Sequence, residues 1–228
     1  MFYFHGVRKP DFTRMKKMDY DAYWRSRGFT MRNKLFEREV IFFNWIREGS
    51  KVLDIGCGTS RLLLELKNKK NCTSHAMDVS PLVIEGLEKH GIKGWTGDLE
   101  DKNFTLPERY NYIVLSEVLE HLREPEELLE KLSPKTDYFI VSIPNSAFYR
   151  YRLSLLLDGR FFTQWECHPS EHLRYWSHTD FLAWLAALDF KVVRSEASNG
   201  LDLGPLKLFR YFPNLFGHQI CYLIKAKK

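Results

Sequence analysis

Val52-Leu53-Asp54-Ile55-Gly56-Cys57-Gly58-Thr59-Ser60 is an apolar run that ends in an acid and a Gly-x-Gly turn. Such a stretch reads as a buried strand feeding the pocket of a nucleotide-type cofactor. Glycine accepts positive φ and lets a ligand approach where a Cβ would stand, and the next helix starts with its N–H groups facing that space. Spacing narrows the choice of cofactor. A dinucleotide fingerprint needs a third glycine three residues after Gly58, where Arg61 stands, so NAD is disfavoured. No Gly-x-x-x-x-Gly-Lys-Ser/Thr occurs anywhere, which removes a phosphate-binding P-loop.

Outward from this stretch, acids follow successive apolar segments. A second strand ends in Ala76-Met77-Asp78, about twenty residues past the turn, the offset at which a carboxylate reaches ribose hydroxyls. Gly97-Asp98-Leu99 follows a short strand around Ile92 to Trp95, and Tyr112 to Leu115 precedes Ser116-Glu117. Taken singly, Asp54 is an ordinary strand-end acid, Asp78-Val79-Ser80-Pro81 an N-cap with proline in the first turn, and Asp98 a turn former. Jointly they place acids along one sheet edge, where open α/β sheets bind ligands.

This order of motifs resembles the class I methyltransferases, and the resemblance implies S-adenosylmethionine as cofactor. It also implies roles: Asp54, Gly56 and Gly58 at the methionine end, Asp78 at the ribose, Asp98 and Leu99 at the adenine, and Ser116 lining the pocket, with Val79 also counted as cofactor-binding. Many relatives carry glycine where Ser60 stands, although serine is a good helix N-cap. The implied fold class is α/β, a Rossmann-like, mostly parallel seven-stranded sheet with helices on both faces and an antiparallel edge strand.

Alternation of elements agrees with it. Strands are expected at Lys51 to Ile55, Ser74 to Met77, Tyr110 to Leu115, Tyr138 to Ile143, Lys191 to Arg194 and His218 to Ala226; helices at Arg61 to Lys67, Pro81 to His90 and Thr179 to Leu188. The segment from Arg32 to Ile46 reads as an amphipathic helix, and Asp19 to Trp24 as a lid. The 228 residues fit one domain: a helical lid over 1–48, a cofactor-binding core over 49–145, and a substrate cover with terminal strands over 146–228.

Hydrophobic residues at 44% and charged residues at 28% describe an ordinary globular chain. Cys57, Cys72, Cys167 and Cys221 form no Cys-x-x-Cys, which argues for a reduced, cytoplasmic setting over a disulfide or zinc-cysteine framework. No apolar run reaches a membrane span. The net charge of +5 is modest, with a basic excess between Arg8 and Arg38 that reads as a solvated helix face.

Ser116-Glu117-Val118-Leu119-Glu120-His121 places Glu120 and His121 three and four residues after Glu117, so one helical turn would bring all three to one face. Two carboxylates and an imidazole can hold Mg, Mn or Zn, with His172 or His168 as a fourth donor. The element resembles the ubiquinone-biosynthesis O-methyltransferase UbiG and the small-RNA 2′-O-methyltransferases, which implies Glu117, Glu120, His121 and His172 as metal ligands. Metal-free relatives share Leu-Glu-His-Leu. In that case His121 or His172 serves as general base, with Glu117 beside them, or each histidine is structural.

Ile140 to Asn145, Tyr149 to Leu153, His172 ahead of Thr179-Asp180-Phe181, and Phe212-Pro213-Asn214-Leu215-Phe216-Gly217 resemble the MetW family over most of the chain. That resemblance implies an association with a homoserine acyltransferase. The fuller Glu-x-x-Glu-His element favours catalysis on a small-molecule hydroxyl over a regulatory partner role. Between Phe148 and Trp165, Arg150, Arg152 and Arg160 mix with Tyr, Leu and Phe, a pattern that suits RNA, a membrane surface or a pocket cap; the cap is preferred, and Gly200 to Gly217 adds to it. An RNA substrate asks for a broader basic surface than +5 provides.

Overall fold

The computed structural model describes residues 19–159 and 172–227. Arg160, Phe161, Phe162, Trp165 and His168 lie outside the described residues, as does the basic stretch before Asp19.

Seven strands form one sheet: β1 Lys51–Ile55, β2 Thr73–Asp78, β3 Lys93–Thr96, β4 Tyr110–Ser116, β5 Thr136–Pro144, β6 Lys191–Gly200 and β7 Gly217–Lys225. Their order is β3-β2-β1-β4-β5-β7-β6. Strands β1 to β5 pair in parallel, and β7 runs antiparallel to both neighbours. The antiparallel strand therefore sits one place in from the edge, and β6 forms the edge itself.

Period-two alternation explains the layers. Along β1, Val52 joins an apolar cluster with Phe42, Leu62, Leu66, Val83 and Leu87, whereas Leu53 and Ile55 join the opposite cluster with Leu115, Phe139, Phe181 and Leu185. Helices α2 Glu37–Trp45, α3 Leu62–Lys70 and α4 Pro81–Glu88 thus cover one face, and α5 Pro125–Leu132 with α7 His178–Ala187 the other. Covering both faces of a parallel sheet favours strands with continuous apolar runs, as Tyr112 to Leu115 and Phe139 to Val141 are. Helix α1 spans Tyr20–Arg27, α6 Tyr149–Asp158, α8 Leu208–Tyr211 and α9 Pro213–Phe216. Among the described residues no helix is long and apolar enough to cross a membrane.

Two elements depart from expectation. The helix foreseen over Arg32 to Ile46 begins only at Glu37. Arg32 is drawn aside instead, its guanidinium paired with Glu39 and its Nε donating to the Thr59 carbonyl, while the Glu39 carboxylate accepts the Phe36 N–H and starts the helix there. The Glu117–His121 stretch is no α-helix. Glu117 takes a left-handed φ of 57°, and only Leu119–His121 make a 3₁₀ turn.

Candidate active site

The ends of β1 and β4 flank the point where strand order reverses, the usual ligand crevice of an open α/β sheet. Ladder register brings them level: Ile55 pairs with Met77 and Leu115, and Ser116 with Ser142. Gly56 and Gly58 both take positive φ, 67° and 51°, which a side chain would resist. The turn they make is bonded to the end of β2. Gly56 N–H donates to the Met77 carbonyl at 2.8 Å, and Gly58 N–H to Asp78 Oδ2 at 3.0 Å. The other Asp78 oxygen accepts the Ser80 N–H at 3.0 Å, so this carboxylate organises both loops.

Burial pushes the Asp78 carboxyl up, opposed by the N–H groups of Ser80, Gly58 and Val79. Asp54 is driven well above its ordinary range, chiefly by burial, with the charges of Glu39 and Asp78 adding and Arg32 and Arg38 opposing. Its Oδ1 is shut from solvent and has no hydrogen-bond partner, so the site lacks one N–H or O–H donor there. Ser60 caps the start of α3, its hydroxyl accepting from Leu62 N–H and donating to Glu39.

Helix α1 lies over these loops. Asp19 caps it, accepting the Ala22 N–H at 2.9 Å. Tyr20 Oη is 2.9 Å from His121 Nδ1, Asp21 accepts the Ser80 hydroxyl at 2.9 Å, and a Cβ on Gly58 would meet the Trp24 ring at 2.9 Å. One helix thereby touches the loops after β4, β2 and β1.

A second group forms beyond β4. Ligand atoms of Glu120, His121 and His172 lie within 4.8 Å of one another, and the two imidazoles meet edge to face at 4.5 Å. Backbone explains the meeting: Leu173 and Arg174 N–H both donate to the Glu120 carbonyl, anchoring His172 beside the 3₁₀ turn. Burial, helped by the His121 charge, pushes His172 down to about 3, so its ring is neutral near pH 7. Its Nδ1 is buried with no hydrogen-bond partner.

Glu117 stands apart from that group, because its left-handed backbone sends the side chain the other way. Its Oε2 accepts from Gln219 Nε2 at 3.0 Å, and burial raises its carboxyl while Arg38, Ser142 and Gln219 counteract. Arg38 Nε donates to Ser116 Oγ at 2.9 Å, at the end of β4. Of Glu117, Glu120 and His121, expected on one helical face with His172 as a fourth donor, the structure brings Glu120, His121 and His172 together and leaves Glu117 in a separate network. Asp98 is exposed and accepts the Glu100 N–H, Leu99 packs against the core, and Val79 is largely exposed beside Asp78. Sequence reading missed Arg32, Arg38, Glu39, Tyr151, His218 and Gln219. Tyr151 lies in the Tyr149 to Leu153 stretch, which gave no role for it; the others lie in no motif, and folding brings them in from across the chain.

Tyr151 Oη lies 2.7 Å from His218 Nε2, and burial, aided by Arg150, pushes His218 down to about 4. The unfolded imidazole titrates near 6.5. Between those values the unfolded chain takes up a proton that the folded chain refuses, so stability falls as the pH drops through that window and is restored above it. The melting temperature should decline from about pH 7 to about pH 4, and more shallowly in His218→Asn. Parallel slopes in thermal scans of the two proteins would remove His218 from this account.

A family model described as "Methionine biosynthesis protein MetW" matches residues 37–224. A Rhodopirellula baltica protein named "Bifunctional methionine biosynthesis protein MetXA/MetW" is 27% identical over 124 residues, covering 50% of this chain and 20% of that one. A Schizosaccharomyces pombe protein named "Ubiquinone biosynthesis O-methyltransferase, mitochondrial" is 32% identical over 99 residues, covering 38% and 35%. The chain therefore spans about a third or less of these curated relatives. A solved SAM-dependent methyltransferase from Aquifex aeolicus superposes with a TM-score of 0.58 at 17% identity, covering 92% of this chain and 100% of its own, a likeness of fold.

Proposed function

Since the chain belongs to the MetW family, we propose that it is an S-adenosylmethionine-dependent methyltransferase acting on a small-molecule hydroxyl. One observation carries the reading. Two buried carboxylates, Asp54 and Asp78, stand at adjacent strand ends around a positive-φ glycine turn, and one Asp54 oxygen has no hydrogen-bond partner. That oxygen suits the ammonium of the cofactor's methionine end. Asp78 accepts from the Gly58 and Ser80 N–H groups and, as a carboxylate, keeps acceptor capacity for ribose hydroxyls. Asp98 and Leu99 take the adenine side, Val79 stays beside Asp78 in the cofactor pocket, and Ser116 lines it.

When bound, the cofactor supplies an already activated sulfonium methyl. The residues then need only align the acceptor, exclude water and take a proton. Helix α1 excludes water through Tyr20, Asp21 and Trp24. His121 or His172 accepts the proton of the hydroxyl, with Glu117 as a further acceptor at the end of β4. The preference for oxygen rests on the O-methyltransferase relative.

The convergence of Glu120, His121 and His172 favours a second use for that group, holding Mg, Mn or Zn, which would contribute Lewis acidity toward the acceptor. The bifunctional relative supports a different alternative, in which the chain binds cofactor without turnover and regulates a homoserine acyltransferase.

Calorimetric titration of S-adenosylmethionine and S-adenosylhomocysteine into chelator-treated protein, with and without manganese or zinc, tests all three readings. Saturable binding of both, followed by methyl transfer in an acceptor screen, is expected. No binding by folded protein would sink the enzyme reading. No metal uptake, together with unchanged activity in Glu120→Ala, would make the Glu120 group structural.

A further inference from the structure

Burial drives the Asp54 carboxyl up, and two guanidinium groups, those of Arg32 and Arg38, oppose it. Their commitments differ. Arg32 is spent: Nη1 and Nη2 both donate to the Glu39 carboxylate, Nε donates to the Thr59 carbonyl, and the group lies over the Phe36 ring, 3.7 Å from its centroid. Arg38 makes no ion pair with a carboxylate among the described residues. Its Nε is tied to Ser116 Oγ at 2.9 Å, Nη1 reaches Gln219 Oε1 only at 3.5 Å, and Nη2 has no partner among the described residues.

Helix formation does not ask for a cation at this position. Arg38 is the second residue of α2, where the amide dipoles disfavour positive charge, and its neighbours Glu37 and Glu39 are the acids that suit a first turn. What the position supplies is reach. The bond to Ser116 sets the guanidinium one residue past the Ile55–Leu115 pair of the ladder, and its charge acts on buried Asp54 and on buried Glu117. A counter-ion built for either acid would bond to it, and Arg38 bonds to neither. Asp54 Oδ1 is thus an acceptor lacking a donor, close to a planar donor lacking a carboxylate. An α-amino acid group asks for that combination, an acceptor for its ammonium and a fork of N–H groups for its carboxylate.

We propose that Arg38 is a specificity-determining residue of the cofactor pocket, its guanidinium taking the α-carboxylate while Asp54 takes the α-ammonium, so that the site selects a ligand with an intact amino-acid end. This rests on the methyltransferase reading and adds to it a discrimination that the glycine turn and Asp78 do not provide. Ser116 then acts as a positioning residue, holding Nε so that the Nη groups face the ligand.

Calorimetric titration of S-adenosylhomocysteine and of its decarboxylated analogue into the full chain tests the assignment. The wild type should bind S-adenosylhomocysteine at least about tenfold more tightly than the analogue. Arg38→Met should weaken S-adenosylhomocysteine by about the same factor and leave the analogue within about twofold, so that the preference disappears. Arg38→Lys keeps a positive charge facing Asp54 and Glu117 and should retain only part of the preference, because an ammonium lacks the fork; it decides the matter if thermal unfolding shows that Arg38→Met does not fold. Equal affinity of the wild type for both ligands would overturn the assignment and leave the methyltransferase reading standing. An undiminished preference in the folded variant, with both ligands weakened alike, would also overturn it and make Arg38 a counter-ion of the buried acids. Binding of neither ligand by folded wild type would remove the methyltransferase reading, and this assignment with it.

Discussion

Asp78→Ala should raise the dissociation constant for S-adenosylmethionine by at least about tenfold, and by about a hundredfold if both ribose hydroxyls reach this carboxylate. Each hydrogen bond to a charged group contributes about 1.5–3 kcal/mol, and 1.4 kcal/mol corresponds to tenfold in affinity. The substitution also strips Gly58 and Ser80 of the acceptor for their N–H groups, so some of the loss would come from a loosened turn. A cycle with 2′-deoxy and 3′-deoxy analogues of S-adenosylhomocysteine separates the two causes. Direct contact makes the analogues lose affinity in the wild type and little more in Asp78→Ala, whereas loop loosening penalises every ligand alike. Unchanged affinity in a folded variant would withdraw the ribose assignment.

The second large effect concerns stability. Asn145 is fully buried at the end of β5, where its Nδ2 donates to the carbonyls of Pro213, Asn214 and Gly217 and its Oδ1 accepts from the N–H groups of Ala147 and His178. One side chain thereby joins β5 to the entry of α6, the first turn of α7 and the α9 bend before β7. Asn145→Ala leaves five backbone groups without this partner, each costing about 1–3 kcal/mol where water cannot replace it. Allowing for partial solvation, the loss should be about 3 kcal/mol or more, and the melting temperature should fall by about 6–12 °C at this chain length. Asn145→Asp should do no better, since a carboxylate offers no N–H to the three carbonyls. Differential scanning calorimetry decides the matter, and a drop under about 2 °C would mean that the network contributes little.

How far the sequence carried the reading can be judged residue by residue. The Val52–Ser60 and Ala76–Pro81 stretches were legible because glycine, buried acid and N-cap impose local rules, and strand alternation then placed them on one edge. The helix assigned to Glu117–His121 failed because spacing of three and four residues is silent about a left-handed residue, and a single positive φ redirected Glu117 toward Gln219. Arg38 could not have been found locally: its partners Ser116 and Gln219 are 78 and 181 residues away. The segment after Phe148 was read for composition, whereas the direction of its side chains depended on which ones Phe216 and His218 would receive.

Among the described residues β7 is the last strand of the sheet in sequence, yet it has neighbours on both sides, β5 and β6. During ribosomal synthesis this has an ordering effect. Until residues 217–225 leave the exit tunnel, β5 presents a bare edge and β6 has no strand to join, so the half of the sheet that bears α6 and Asn145 assembles after the cofactor half. The nascent chain exposes a mostly apolar edge, Phe139 to Ile143, for that interval, and such edges invite intermolecular pairing. Chaperone dependence and aggregation in the cell should accordingly track the delay between emergence of β5 and insertion of β7, more than the equilibrium stability of the finished domain.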